Sequence, residues 1–308
     1  TLLTAVVIFE YISIPIPTKS IPTRDEIPAV YQWMKTIDKD VAIIELPIPE
    51  RRFKRISVES LRMYYSIYHR KKMVNGRSSY FPPLYYEIRQ RWWHSPQKQF
   101  INDLKVLGVR YMILHSNMIK KERLAEIRQT LSQLKKDIQF VDKIGESIIY
   151  EIIAVKKPPE KYIREFKFKN IYRKNWTATS NIHNEKTILA LDGDTSTWWQ
   201  SPPQKDGDYF MIDLGQSHPL KRVSLRLSPN FPCSYPLGYR VEVSGQGRQW
   251  TLVAASNRTR IPIMEFLTPR RITLTIDLDP CGARYIKITN TGQHRRQIWT
   301  ISEIEVFR

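Results

Sequence analysis

Three short stretches of this chain gather side chains that could do chemistry. Asp192, Asp194 and Thr197 bring hard oxygens together around Gly193. Calcium takes roughly six to eight such oxygens at about 2.3–2.6 Å. The loop therefore reads either as a structural Ca²⁺ site or as an Asx turn in which Asp192 caps backbone N–H groups without a metal. His294, Arg295 and Arg296 set two guanidinium forks beside an imidazole. That suits an acidic sugar or a phosphate, and the competing reading is a solvated loop. Residues Asn75 to Tyr80 form a turn rich in hydrogen-bonding groups; it either touches a sugar or pyrophosphate or packs Tyr80 and Phe81. Elsewhere the signals are negative. His69 and His115 have no serine or cysteine partner at a recognisable spacing, so a hydrolase triad has little support. Glu45 and Glu87 make no recognisable glycosidase pair, although separation in space is not legible from sequence. No catalytic residue is assigned, and the fragment is expected to be non-catalytic. Cys233 and Cys281 are the only cysteines, so no zinc site is expected. They read either as a disulfide or as two half-buried thiols.

The elements that must position these groups fall into two patterns. Residues 25–155 alternate helix and strand. Helices are expected around 28–34, 57–68, 83–93, 96–107 and 118–136, and buried strands at 41–46 and 109–114. A hairpin is expected over 138–144 and 147–155, around Gly145. This order predicts an α/β layer domain. Lys156 to Lys161 is a charged, Pro-containing linker, so 156–172 is read as the connection. From 173 to 308 short apolar runs recur between turns, at 209–214, 223–227, 239–243, 273–276, 285–288 and 304–306. Several alternate apolar with polar, as antiparallel strands buried on one face do. The expectation is an all-β jelly-roll sandwich. Residues 1–24 begin with an apolar run, Leu2 to Phe9 with Tyr11 to Ile14 beyond, followed by Pro15, Pro17 and Pro22. That run reads as the end of a transmembrane helix with a stiff exit, or else as a first buried strand.

The 308 residues suit two domains. With 49 Lys and Arg against 30 Asp and Glu, the net charge is +19, which favours anionic partners. The basic residues are spread along the chain, and no zinc-finger, helix-turn-helix or RNA-binding signature occurs, so nucleic acid is not the expected partner.

The second half resembles the discoidin family, the coagulation-factor type C domains. The resemblance is carried by Trp176 to Ser180, by Ala190-Leu191-Asp192-Gly193-Asp194-Thr195-Ser196-Thr197-Trp198-Trp199, and by Gly207 to Gly215 with its Asp213-Leu214-Gly215 ending. Tyr239 to Ser244 with Trp250, Arg284 to Ile288 and Trp299 to Val306 complete it. It implies a carbohydrate-binding sandwich with ligands held by loop tips, where the candidates are His183, Tyr235, His294, Arg295 and Arg296. It also implies a structural Ca²⁺ held by Asp192, Asp194, Thr197 and Glu303, and core positions for Trp199, Trp250 and Trp299. Trp198 stands where the family commonly has Arg or Lys, and its ring either stacks on a sugar or packs beneath the loop. The first half is similar to the soluble C-terminal domain of large membrane glycosyltransferases that use lipid-linked sugars. Glu45 to Pro47, Tyr64 to His69, Val74 to Pro83 and Leu104 to His115 carry that similarity. Together the two resemblances imply the extracytoplasmic, periplasmic part of such an enzyme, attached to the membrane through its N-terminal segment and binding a glycan or an acidic envelope polymer. The alternative is an envelope or adhesion protein whose sandwich binds cell-surface glycans without an enzymatic partner.

Overall fold

The computed structural model describes residues 9, 22–23, 26–38, 40–50, 52–76, 81–94, 97–153, 168–173 and 175–308. The apolar run expected to end a membrane helix (apart from Phe9), the Arg77 to Tyr80 part of the polar turn, and the Lys156 to Lys161 linker lie outside the described residues. Among the described residues no helix is long and apolar enough to cross a membrane.

The first region sets helices around a five-stranded mixed sheet. Its elements are α1 (Ala29–Thr36), β1 (Ala42–Leu46), α2 (Arg52–His69), β2 (Lys72–Met73), α3 (Pro83–His94), α4 (Gln97–Val106), β3 (Val109–His115), α5 (Lys121–Gln133), β4 (Ile138–Ile144) and β5 (Ser147–Ile152). The strand order is β2-β1-β3-β5-β4. β1 runs parallel to β2 and β3, while β5 is antiparallel to β3 and β4. Successive side chains point to opposite faces of a strand, and burial follows that rule. Ile44, Leu46, Met112 and Leu114 pack with Trp92, Phe100 and Leu104. Ile43, Ile113 and Ile149 pack with Val30, Met34 and Tyr65 on the other side. Two helix boundaries differ from expectation. α2 begins at Arg52, five residues before Ser57, because nothing after Pro49 interrupts it. α5 is shorter at both ends, since Ser116–Met118 forms a 3₁₀ turn and the Leu134 N–H closes the last turn on Leu131.

The second region is a β-sandwich. Its strands are β6 (Thr177–Ser180), β7 (Trp199–Gln200), β8 (Tyr209–Arg226), β9 (Tyr239–Ser244), β10 (Thr251–Ser256), β11 (Thr273–Asn290), β12 (Thr300–Ile301) and β13 (Glu303–Phe307). The larger sheet runs β10-β9-β11-β8-β13 with β6 also on β8, and β12 pairs with β7. The runs expected as separate strands at 209–214 and 223–227 are joined in β8, and those at 273–276 and 285–288 in β11. Register shifts between Asp277 and Cys281 and between Ala283 and Tyr285 let the paired ribbon bend without breaking. Trp199 and Trp299 are fully buried and meet edge to face at 5.1 Å. Trp250, expected in the core, is instead half-buried, with the Lys287 ammonium 4.4 Å from its ring centroid. Lys169 to Ile171, read from sequence as linker, dock along β13. Lys169 and Arg308 exchange backbone hydrogen bonds, and Ile171 is buried. Cys233 and Cys281 are free thiols.

The two regions share one buried apolar cluster, and the 3₁₀ turn Ile263–Leu267 packs against α3. A polar seam lies beside it. Arg91 bonds Glu87 Oε1 at 2.7 Å, Asp103 Oδ1 at 2.9 Å and the Ile261 carbonyl across the boundary. Arg260 returns to Asp103 Oδ2 at 2.8 Å.

Candidate functional site

The Asp192 loop closes upon itself. Asp192 Oδ1 accepts the Asp194 N–H at 2.9 Å, and Asp194 Oδ1 accepts both the N–H and the hydroxyl of Ser196. This is the Asx-type closure that short acidic side chains favour, with Gly193 at φ +84° supplying the left-handed step. The Thr197 hydroxyl lies 2.7 Å from Asp192 Oδ2, 3.0 Å from the Asp194 carbonyl and 3.5 Å from that of Leu189. Three acceptors thus surround one donor. Glu303 approaches from β13. Its carboxyl is buried, pairs with Arg173, and leaves Oε1 without a hydrogen-bond partner. Burial raises its pKa against the opposing pull of Arg173, and Asp192 adds a further negative charge nearby. Among the described residues no three His, Cys, Asp or Glu side chains converge as a metal cage. The oxygens present are a mixed set of carboxylate, carbonyl and hydroxyl groups, which is the kind calcium accepts.

Beside this loop an aromatic surface is built around Gln200 at the end of β7. The Trp198 indole N–H donates to Gln200 Oε1 at 3.2 Å, and His183 Nδ1 contacts the Gln200 carbonyl at 2.7 Å. His183 holds a left-handed backbone, φ 46°. The half-buried Trp198 ring meets Phe231 edge to face at 6.0 Å, and Phe231 is 41% exposed. Trp198 and His183 are among the residues expected to meet ligand; Gln200 and Phe231 join them only through the fold. Phe231 comes from a Pro-rich turn whose only visible signal is an apolar residue between Asn230 and Pro232.

The basic loop is held separately. His294 Nδ1 accepts the N–H groups of Arg296 and Gln297 at 3.1 and 2.8 Å, so this imidazole caps its own turn while Arg295 and Arg296 stay exposed. The buried Gln204 and Asn290 tie the rim together. Gln204 Nε2 donates to the carbonyls of Tyr235 and Ile298, and Asn290 Nδ2 to those of Lys205 and Gly292. Gly238 lets the loops touch, since a Cβ there would sit 2.5 Å from Thr291 Oγ1 and 2.8 Å from two backbone carbonyls. Tyr235 faces away from this rim. Its hydroxyl donates to Glu87 Oε2 of the first region at 2.8 Å. Burial first, then the Glu87 charge, push its pKa far up. The same surroundings push the Cys233 thiol to about 12.

A second cluster, unread in the sequence, lies in the first region at the carboxyl ends of β1 and β3. Glu45 is fully buried. Its Oε2 accepts from the Tyr31 hydroxyl at 2.8 Å, pairs with His115 Nε2 at 2.9 Å and lies 3.6 Å from Arg62 Nε, while Oε1 has no partner. Arg62 also bonds Glu59 at 2.8 Å and the Pro47 carbonyl. Asn75 clasps the Glu45 backbone through both N–H and carbonyl, which gives the first residue of the polar turn a structural task. Burial alone would raise the Glu45 pKa, but the His115 hydrogen bond, Arg62 and Tyr31 together hold it below the usual carboxylate range. Glu59 has fewer donors, and there burial wins and raises the pKa. His115, without a nucleophilic neighbour in sequence, has one in space: Ser147 Oγ lies 3.0 Å from its Nδ1.

Comparison with known proteins places the second region. The chain matches the F5/8 type C domain over residues 175–304. Similar solved structures include a family 32 carbohydrate-binding module of Clostridium perfringens NanJ in complex with galactose. It is 19% identical, spans 46% of this chain and 99% of its own, and has a TM-score of 0.38. Another is a C. perfringens module, CpGH89CBM32-5, in complex with GalNAc-β-1,3-galactose, at 16% identity, 46% and 100% coverage and TM-score 0.38. A third is a chitosan-binding module from a Paenibacillus sp. IK-5 chitosanase/glucanase, at 22% identity, 44% and 96% coverage and TM-score 0.36. No curated protein matches the chain. The family match spans the opening strand, the Asp192 loop and the start of the closing strand β13, so residues 175–304 form an F5/8 type C domain.

Proposed function

We propose that the F5/8 type C domain binds a glycan through the surface formed by Trp198, Phe231, Gln200 and His183, with Arg295 and Arg296 favouring acidic or phosphorylated polymers. The observation that carries this reading is the Trp198–Phe231 pair: two aromatic rings meet at the surface beside amide and imidazole groups. A pyranose has an apolar face that packs on such rings and hydroxyls that need such partners. One aromatic platform with a few polar contacts gives an affinity in the millimolar to high-micromolar range, about −4 to −6 kcal/mol. Tyr235 is left out of this surface because its hydroxyl is committed to Glu87, and His294 shapes the basic loop instead of meeting ligand.

We propose further that Ca²⁺ braces the Asp192 loop, with Asp192, Thr197 and Glu303 as its side-chain oxygens and Asp194 shaping the turn. The buried Glu303 carboxyl, which faces the Gly193 N–H and the Asp192 charge and has Oε1 free of any side-chain partner, supports this. In the parent protein the chain serves as the periplasmic, glycan-holding portion of a membrane glycosyltransferase, attached through its N-terminal segment. The similarity of Glu45 to Pro47 and Leu104 to His115 to that family supports this assignment, and these residues cover the ends of β1 and α4 and the whole of β3. A glycan array followed by titration calorimetry with neutral and acidic hits tests the binding. Failure to bind any glycan at millimolar concentration would overturn it.

A further inference from the structure

We infer a second functional site, in the first region: a serine-based acyl-ester hydrolase centre made of Ser147, His115 and Glu45. The three groups form a continuous chain. Ser147 Oγ lies 3.0 Å from His115 Nδ1, and His115 Nε2 lies 2.9 Å from Glu45 Oε2. They come from β5, β3 and β1, adjacent strands of one sheet. Glu45 and His115 sit at the carboxyl ends of two parallel strands, the end where sheets of this kind hold ligands. The relay is oriented by its buried end. An ionised Glu45 accepts, so His115 Nε2 carries the hydrogen and Nδ1 is left to accept from the Ser147 hydroxyl. The roles of the two ring nitrogens are exchanged relative to the serine-protease arrangement, but such a relay is defined by geometry and role.

The relay opens on a cleft. Ser147 and His115 line a depression of about 330 Å³ whose walls are largely apolar, among them Val30, Val58, Leu61, Met118 and Ile144. Such walls suit a short aliphatic or aromatic acyl chain, and the polar floor suits the ester group. Asn117 lines the same cleft and carries an amide of the kind that stabilises an oxyanion. Arg62 and Tyr31 hold one oxygen of Glu45, and the other is left over. A fully buried carboxylate that leaves one oxygen without a partner is costly to keep, and replacing such networks by apolar residues is commonly neutral or stabilising.

The chemistry closes without a cofactor. Ser147 Oγ attacks the carbonyl carbon of an ester while its proton passes to His115 Nδ1, and the imidazolium is held through Nε2–H by Glu45. The tetrahedral adduct collapses, the C–O bond to the alcohol breaks, and the alcohol leaves with the proton from Nδ1. Water then attacks the acyl-serine, giving its proton to Nδ1. Collapse releases the carboxylic acid and returns that proton to Ser147 Oγ.

The test is made on the full chain with p-nitrophenyl acetate and p-nitrophenyl butyrate, and with a fluorophosphonate probe read by peptide mass spectrometry. We expect turnover of the esters, a fluorophosphonate adduct on Ser147, and a fall of about 100-fold or more for Ser147→Ala. His115→Asn should fall similarly, and Ser116→Ala, next door but outside the relay, should keep the wild-type rate. Melting curves accompany each variant, and Ser147→Ala removes one oxygen only, so its loss is read at unchanged fold. Turnover that persists in folded Ser147→Ala, an adduct on another residue, or no turnover and no adduct in the wild type would each overturn the assignment.

Discussion

The two regions handle polar groups differently. The sandwich keeps its centre apolar, with Trp199, Trp299 and Phe210 fully buried, and places its polar hubs, Gln204 and Asn290, in the rim where they stitch loops together. Those hubs are neutral amides, which backbone groups can satisfy at small cost. The sandwich's buried charges sit in separate pairs, Glu303 with Arg173 and Arg222 with Asp277, whereas the first region joins its own into networks. Glu45, Glu59 and Arg62 share one network at the strand ends, and Glu87 and Arg91 share another at the boundary. Buried charges are expensive unless fully paired. The contrast is one of placement: loop backbone groups satisfy the sandwich's amide hubs, and the first region pairs its charges inside.

The sharpest way to break this contrast is to remove a charge from the interior. Arg62→Ala leaves Glu45 and Glu59 facing each other without their shared cation. We expect a loss of about 3–5 kcal/mol in the first region's unfolding free energy, measured by urea titration. Its pH dependence has a definite sign. In the wild type the Glu45 pKa is depressed, so its contribution is present above the unfolded carboxyl range, about 4.3, and is lost as pH falls through the folded value. Without Arg62 the buried carboxyls take up protons more readily, so the deficit should be largest near pH 7 and shrink toward pH 4. A deficit independent of pH would show that the network is held by packing.

Calcium should act only on the sandwich. At a hundredfold excess over the dissociation constant, linkage gives about 2.7 kcal/mol. We expect the melting temperature to rise with Ca²⁺ and fall back with chelator, and Asp192→Ala to abolish the shift. Identical curves with Ca²⁺ and with chelator would return the loop to a plain Asx turn.

The boundary is tested by Tyr235→Phe, which deletes one hydroxyl donated to Glu87 and little else. A hydrogen bond to a charged group contributes about 1.5–3 kcal/mol. A loss of about 2 kcal/mol is expected, together with separation of the two unfolding transitions. A single unshifted transition would mean that the shared apolar cluster couples the regions without the polar seam.

Legibility from sequence follows the same division. The sandwich's candidate residues are largely consecutive: Asp192 to Trp199 occupy one loop and the strand after it, so types and spacing single them out. Even there, Phe231 is not legible because it reaches Trp198 only through the fold, and Trp250, expected in the core, is half-buried just before β10 beneath Lys287. The first region's helices and strands were legible from apolar periodicity, yet its cluster was not. Tyr31, Glu45, Arg62, His115 and Ser147 lie on five different elements, and each looks ordinary among its neighbours. Strand parity was the one available signal: Glu45 interrupts an apolar run on β1, and an acidic residue on a buried strand asks for a partner.

The smallest expected effect on stability belongs to Trp198, and it decides whether the sandwich surface is functional. Trp198 is half-buried, bonds Gln200 and touches Phe231, whereas its neighbour Trp199 is fully buried against Trp299 and Phe210. Truncating a core tryptophan costs about 3–5 kcal/mol, so Trp199→Ala should compromise folding. Trp198→Ala loses one edge-to-face contact and part of its burial, so about 1 kcal/mol is expected. Its effect on glycan affinity should be larger and should fall equally on neutral and acidic ligands, because a stacking ring does not distinguish charge. Arg296→Ala should weaken acidic ligands only, and added salt should mimic it by screening the exposed guanidinium. Calorimetry on these two variants, with melting curves beside it, separates the contributions. If Trp198→Ala lowers stability by several kcal/mol and leaves affinity unchanged, the indole is a packing residue and the ligand surface must be sought at the basic loop alone.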